Sequence, residues 1–270
     1  MPLSEAVLPP QPRDYHGVNW EGFKTLYLRE IRRFWKVGMQ TVFAPVVTSL
    51  LYMMVFAVAT EGARAPIEGT TFIRFVAPGL VMMAILNNAF ANSSSSILQA
   101  KMQGLAVDFL TPPLSPWELA VGFIAGAATR GIIVGAVTAI CILPFAHMGI
   151  VHPWAVLWFG LTASLILGMV GVGAGLWAEK FDHMSVVTNF VIMPLTFLSG
   201  TFYLADRLPE PFRTISHFNP MFYMIDGFRY GFIGKADGSI IVGVVSTTVL
   251  TLALGLWCWR LFQTGYRLKT

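Results

Sequence analysis

Asp226 and Arg229 stand one helical turn apart in the run NPMFYMIDGFRYG, and His217 lies just ahead of it. An acid, a base and a cation in one segment could handle a proton on a lipid, with the segment acting as a lid. Such chemistry also needs a nucleophile converging on the pair. The chain has no G-x-S-x-G elbow and no such convergent set. Phosphate chemistry fares no better, since Gly234-Lys235 is followed by Ala236 and lacks the upstream glycine of a G-x-x-x-x-G-K-[ST] loop. The chain cannot hydrolyse ATP alone. The five histidines are scattered, with His147 and His152 flanked by prolines, so no metal site is expected. Cys141 and Cys258 both fall inside apolar runs, which gives neither a disulfide framework nor zinc spacing.

The segment that carries Asp226 is itself unusual. Asn219 followed by Pro220 reads as a helix start, because Asn caps orphan amides and Pro at the first helical position gives up no hydrogen bond. Met221, Met224, Ile225, Phe228 and Phe232 recur at helical spacing, with Tyr223, Asp226, Arg229 and Tyr230 on the other side. From Pro220 to Phe232 such a helix is roughly 18 Å long, short of the ~30 Å hydrocarbon core. Before it, Phe212, Ile215 and Phe218 mark a second short amphipathic piece behind the Leu208-Pro209-Glu210-Pro211 turn. The pair reads as a re-entrant or interfacial hairpin. An amphipathic external loop with no transport role fits the same residues.

The composition fixes the setting. The chain is 55% hydrophobic and 12% charged over 270 residues, with mean hydropathy +0.65, where soluble domains carry about 25% charged residues. It is an all-α polytopic membrane protein. The net charge of +4 gathers at the ends of apolar runs rather than in a patch, which excludes nucleic acid as a partner and points to membrane lipid.

Residues 1–37 form a Pro-rich start and a basic amphipathic helix from Val18 to Lys36. Its aromatic stripe is Trp20, Phe23, Tyr27, Ile31 and Phe34, and it is expected to lie flat on the membrane surface. Residues 38–270 form the membrane domain, with six spans at about 39–60, 72–98, 118–143, 153–178, 184–203 and 240–262. The first is expected to serve as an uncleaved anchor. Six Lys or Arg in the first 38 residues, with Arg260, Arg267 and Lys269 in the tail, place both termini in the cytoplasm. The hairpin, 204–232, then faces outward.

Within the spans, Asn88, Asn92 and Ser95 share one helical face, read either as packing glue or as a polar stripe along a conduit. Arg130 lies deep in the third run and must face protein, water or a polar partner, with Asn88 and Glu118 as candidates. Gly122 with Gly126, Gly131 with Gly135, and Gly171 with Gly175 signal close helix packing. The loop 99–117 carries Gly104, Asp108, Phe109 and Pro112, with a short helix over 104–110 stopped by prolines.

The runs FVAPGLVMMAILNNAFANSSSSI, ATRGIIVG, PLTFLSGTFY and NPMFYMIDGFRYGF, in this order, resemble the ABC-2 family of ATP-binding-cassette permeases, specifically its bacterial inner-membrane branch. The resemblance implies a permease subunit, not an enzyme, that binds no cofactor itself. ATP and Mg would bind a separate ATP-binding subunit, and a second copy of the permease would complete a homodimer. The implied exporter moves an amphipathic, lipid-linked or drug-like substrate across the inner membrane. By the same resemblance Gly104, Asp108, Phe109 and Pro112 couple to the ATPase. Tyr52, Phe56, Asn88, Asn92, Phe190 and Phe197 are candidates for the pathway, and Asn219, Pro220, Tyr223, Asp226 and Arg229 shape an external gate. A membrane-embedded lipid-modifying enzyme and an ion-coupled secondary carrier are the rival classes, the carrier weakened by the lack of a mid-span carboxylate between Met39 and Tyr203.

Overall fold

The computed structural model describes residues 17–60, 70–105, 113–204 and 209–267. The elements are α1 (Trp20–Lys36), α2 (Ala44–Thr60), α3 (Phe72–Met102), α4 (Pro116–Ala146), α5 (Pro153–Trp177), α6 (Phe181–Val187), α7 (Met193–Phe197), α8 (Phe212–Phe218), α9 (Pro220–Ile233) and α10 (Ile240–Thr264). A π turn at Met39–Phe43 leads into α2, and another at Thr188–Ile192 joins α6 to α7.

Among the described residues five helical runs are long and apolar enough to cross a membrane: Met39–Val58, α3, α4, α5 and α10. The expected span at 184–203 differs. Its helical path runs through consecutive pieces of 7, 5 and 5 residues from Phe181 to Phe197, which gives roughly 26 Å at 1.5 Å per residue. The chain then turns: Leu198 leaves helical geometry and Gly200 takes φ +71°, a left-handed conformation open to glycine.

The helix α3 is the centre of the bundle. Its most apolar window is 78% buried, against 22% for the first run and 11% for α10, and it packs against α5, α4, α9 and α2. Glycines set these approaches. A methyl group at Gly171 would lie 2.5 Å from the Phe90 carbonyl oxygen, and one at Gly175 would lie 2.8 Å from that of Ser94. Ser93 uses the same closeness to donate to the Gly168 carbonyl at 2.7 Å. On α4, Gly131 and Gly135 face Ala89 and Ile85 of α3, while Gly122 and Gly126 face Leu26 and Glu30 of α1. All three glycine pairs therefore serve packing.

The helix α1 is held by a row that shares only Phe34 with the aromatic stripe. Leu26, Glu30 and Phe34 are buried, Phe23, Tyr27 and Ile31 are half-buried, and Trp20 is exposed. The reason is the Gly122/Gly126 surface of α4, which lets that row approach closest. The start of α1 is fixed as well. Glu118 accepts from the Ser115 amide and hydroxyl, completing a capping box for α4, and its other oxygen accepts from the Asn19 amide at 2.6 Å.

Candidate functional site: a hairpin and a cavity at two ends of one helix

The α8–α9 hairpin sits where α3, α5 and α10 begin and α4 ends. Asn219 builds its corner. Its oxygen accepts from the Met221 amide at 3.0 Å, capping α9, and its nitrogen donates to the Leu195 carbonyl at 2.6 Å and to Ser199 Oγ at 3.0 Å. Pro220 occupies the first helical position and is exposed. Ser216 Oγ donates to the Leu198 carbonyl at 2.9 Å, so both hairpin helices are fastened to the turn after α7.

The other end of α9 is held by charge. Asp226 is buried and accepts from the amides of Asp237 and Gly238, each at 2.9 Å, which ties α9 to the entry of α10. Burial pushes the Asp226 carboxyl above the usual carboxylate range; Arg229 and the two amides pull the other way without cancelling it. Arg229 lies 3.8 Å from Asp226 Oδ1, donates to the Gly200 carbonyl, and stacks on the Phe75 ring of α3 at 3.8 Å. Tyr223 is half-buried beside Gly243 of α10. The Gly231 carbonyl accepts from Val151 and His152, both at 2.8 Å, closing α9 onto the α4–α5 loop. Each oxygen of Asp226 is thus engaged by a backbone amide of the segment leading into α10. His217 lies edge-on to Phe222.

Farther along α3, the shared face of Asn88, Asn92 and Ser95 meets two arginines. Arg130 donates to Asn88 Oδ1 at 3.0 Å, which selects Asn88 over Glu118 as its partner. Arg33 of α1 donates to the Asn92 carbonyl and side-chain oxygens at 2.7 and 2.9 Å and to Ser95 Oγ at 3.2 Å. Glu30 completes the cluster, 3.4 Å from Arg33 and accepting from Ser96 Oγ at 2.7 Å. From Phe75 to Asn92 the rise along α3 is about 26 Å, so the hairpin and this cluster mark opposite ends of one helix.

Beside the cluster lies a cavity of about 820 Å³, bounded by the end of α1, α2, α3, α4 and Phe181. Of the pathway residues expected from the sequence, Tyr52 and Asn88 line it, while Asn92 is buried behind Arg33. Phe56 and Phe197 lie instead in an aromatic group with Phe202, 4.9 and 5.8 Å between ring centroids, at the hairpin end; Tyr52 reaches the same Phe202 at 6.5 Å. Phe190 points away from the bundle and is 77% exposed. Of the coupling residues, Gly104 follows α3 with φ +69°, and Asp108, Phe109 and Pro112 lie outside the described residues.

Sequence reasoning missed Glu30 and the role of Arg33. The available signal was their i, i+3 spacing on α1 together with an unpaired Asn/Ser face on α3. Among the described residues no group of three or more His, Cys, Asp or Glu could hold a metal ion.

A bundle of long apolar helices with buried polar links between them is the body of a multi-pass membrane protein. The ABC-2 type transporter family model matches residues 21–233, and the chain belongs to that family. It is 36% identical over 255 residues to the inner membrane transport permease YadH of Escherichia coli (strain K12), covering 93% of this chain and 98% of that one. The YadH of Shigella flexneri matches to the same extent. Nodulation protein J of Rhizobium leguminosarum bv. viciae is 24% identical over 234 residues, covering 84% of this chain and 87% of its own. The relatives are named as transport permeases and a nodulation protein, in keeping with a transport subunit rather than an enzyme.

Proposed function

We propose that the chain is the membrane-spanning subunit of an exporter driven by a separate ATP-binding subunit, which alone holds ATP and Mg. Two copies pair as a homodimer in the bacterial inner membrane, and the cargo is amphipathic, lipid-linked or drug-like. The helical path 181–197 with the turn after it counts as the fifth of six spans, both termini are cytoplasmic, and α8–α9 is a re-entrant hairpin on the outer side. The exposed apolar residues Phe212 and Ile215 of α8 suit contact with lipid there.

The observation that carries this reading is that α3 links the two ends of the molecule. At one end Arg33 and Glu30 grip it through Asn92, Ser95 and Ser96; at the other Arg229 packs on Phe75. A stroke delivered by the ATPase to α1 and to the loop 99–117 around Asp108 would reach α3 and α4 together, because Asn19 and Glu118 tie α1 to α4. The stroke shifts the population between inward-open and outward-open arrangements. Asn219, Pro220, Tyr223, Asp226 and Arg229 shape the outer gate by holding α9 in place. Tyr52, Phe56 and Phe197 trace a route from the cavity toward that gate.

Affinity purification of the tagged chain from its native membrane tests the reading. A co-purifying protein that carries a phosphate loop and hydrolyses ATP is the expected result. A chain that never brings down such a partner would remove the exporter assignment.

A further inference from the structure

The cavity beside α3 carries positive charge on its wall. Arg33 and Arg130 line it, and none of the described residues that line it is acidic. Glu30, the carboxylate paired with Arg33, is fully buried outside the lining and shared with Ser96. Arg130 is held by the neutral amide of Asn88, and the Nε groups of both arginines make no hydrogen bond. Two guanidiniums against one carboxylate leave positive charge on the wall. In a region of low dielectric, positive charge without a counter-charge is costly, and an anion brought to it forms strong charge-assisted hydrogen bonds.

The rest of the wall is mixed: Gln40, Thr48, Ser49 and Asn87 are polar and neutral, while Tyr52, Leu80 and Met83 supply an apolar stretch. The volume, about 820 Å³, falls within the ~300–1,000 Å³ of small-molecule sites. It can hold a charged head together with part of a tail. The first run, thinly covered by the rest of the chain, forms one side.

We propose that this cavity binds the anionic group, phosphate or carboxylate, of an amphiphile, with Arg33 and Arg130 receiving the anion and Tyr52, Leu80 and Met83 holding the adjoining apolar part. The proposal rests on the exporter reading for its use, and it narrows the cargo to anionic amphiphiles.

The test is native mass spectrometry of the full chain in neutral detergent, titrated with dioleoyl phosphatidic acid, oleate, dioleoylglycerol and inorganic phosphate. Phosphatidic acid and oleate are expected to bind saturably, and at least about tenfold more tightly than dioleoylglycerol or phosphate alone. Arg33→Gln and Arg130→Gln should each weaken phosphatidic acid binding about tenfold, with Arg130→Lys keeping most of it. Met83→Trp, which fills the cavity without touching charge, should block binding and keeps the test decisive if an arginine variant does not fold. Equal binding of phosphatidic acid and dioleoylglycerol, or unchanged binding in the folded arginine variants or in Met83→Trp, would overturn the proposal. Phosphate binding as tightly as phosphatidic acid would overturn it in favour of a free anion. Loss of the dimer in Arg130→Gln with lipid binding intact would give the cavity to a second copy. Arginine-dependent binding in a chain that brings down no ATPase would leave the site standing and remove the exporter reading. An ATPase partner without such binding would do the reverse.

Discussion

The Asn219 side-chain nitrogen lies 2.6 Å from the Leu195 carbonyl oxygen while its oxygen caps the Met221 amide at 3.0 Å, so one residue both starts α9 and fixes that start to the preceding helix. Asn219→Ala removes both functions and leaves a buried carbonyl without its donor, a loss of about 1–3 kcal/mol. Hydrogen exchange of the amides at 221–224 should speed up and export should fall, while association with the proposed ATP-binding subunit persists. Unchanged exchange would show that the corner is held by something else.

Asp226→Asn leaves one acceptor oxygen for two amide donors and deprives Arg229 of its counter-charge. Thermal unfolding in detergent should show a loss of about 1–3 kcal/mol and export should fail. A double-mutant cycle with Arg229→Gln should show coupling between the two positions.

The same carboxyl gives a dependence on pH. Its folded pKa stands above the ordinary carboxylate value, so the folded chain binds the proton more readily than the unfolded chain. The associated stability is complete below the ordinary carboxylate range and is lost as pH rises through the raised folded value. Melting curves of the wild type should therefore shift upward on acidification through that window, and Asp226→Asn should lose this component of the shift.

Gly126→Ala places a methyl group 2.6 Å from Glu30 Cβ and must push α1 away from α4, at a cost of about 1–3 kcal/mol. In vesicles holding the complex, ATP hydrolysis should persist while transport drops. Asp108→Ala should uncouple the two activities in the same assay, through the proposed contact of the loop 99–117 with the ATPase rather than through α1. Intact coupling in both would detach α1 and the loop from the ATPase stroke.

Much of the fold was legible because length and hydropathy decide which runs can span a bilayer. The glycine pairs were legible because small residues four apart have one structural use in such helices. The Asn88, Asn92 and Ser95 face was visible as well, since amides in apolar surroundings must find partners. What the partners were was not visible. Glu30 and Arg33 on a basic amphipathic helix look like solvated surface charges, and only the approach of α1 to Gly122 and Gly126 turns that face inward. The fifth run was apolar throughout, so its end at Phe197 was hidden; the turn there is set by Gly200 and by the bonds that Asn219 and Arg229 make to the backbone around it. Asp226 and Arg229 were legible as a pair, but not as the bolt between α9 and the loop before α10.

Cysteine labelling of residue 218 tests the central geometry most directly. Phe218 is 84% exposed on α8, and Cys141 and Cys258 can be replaced by alanine to give a clean background. A membrane-impermeant maleimide should label Phe218→Cys from outside in intact cells whose outer membrane has been made permeable. Labelling only after the inner membrane is opened would place the hairpin on the cytoplasmic side and contradict an outer gate worked from within.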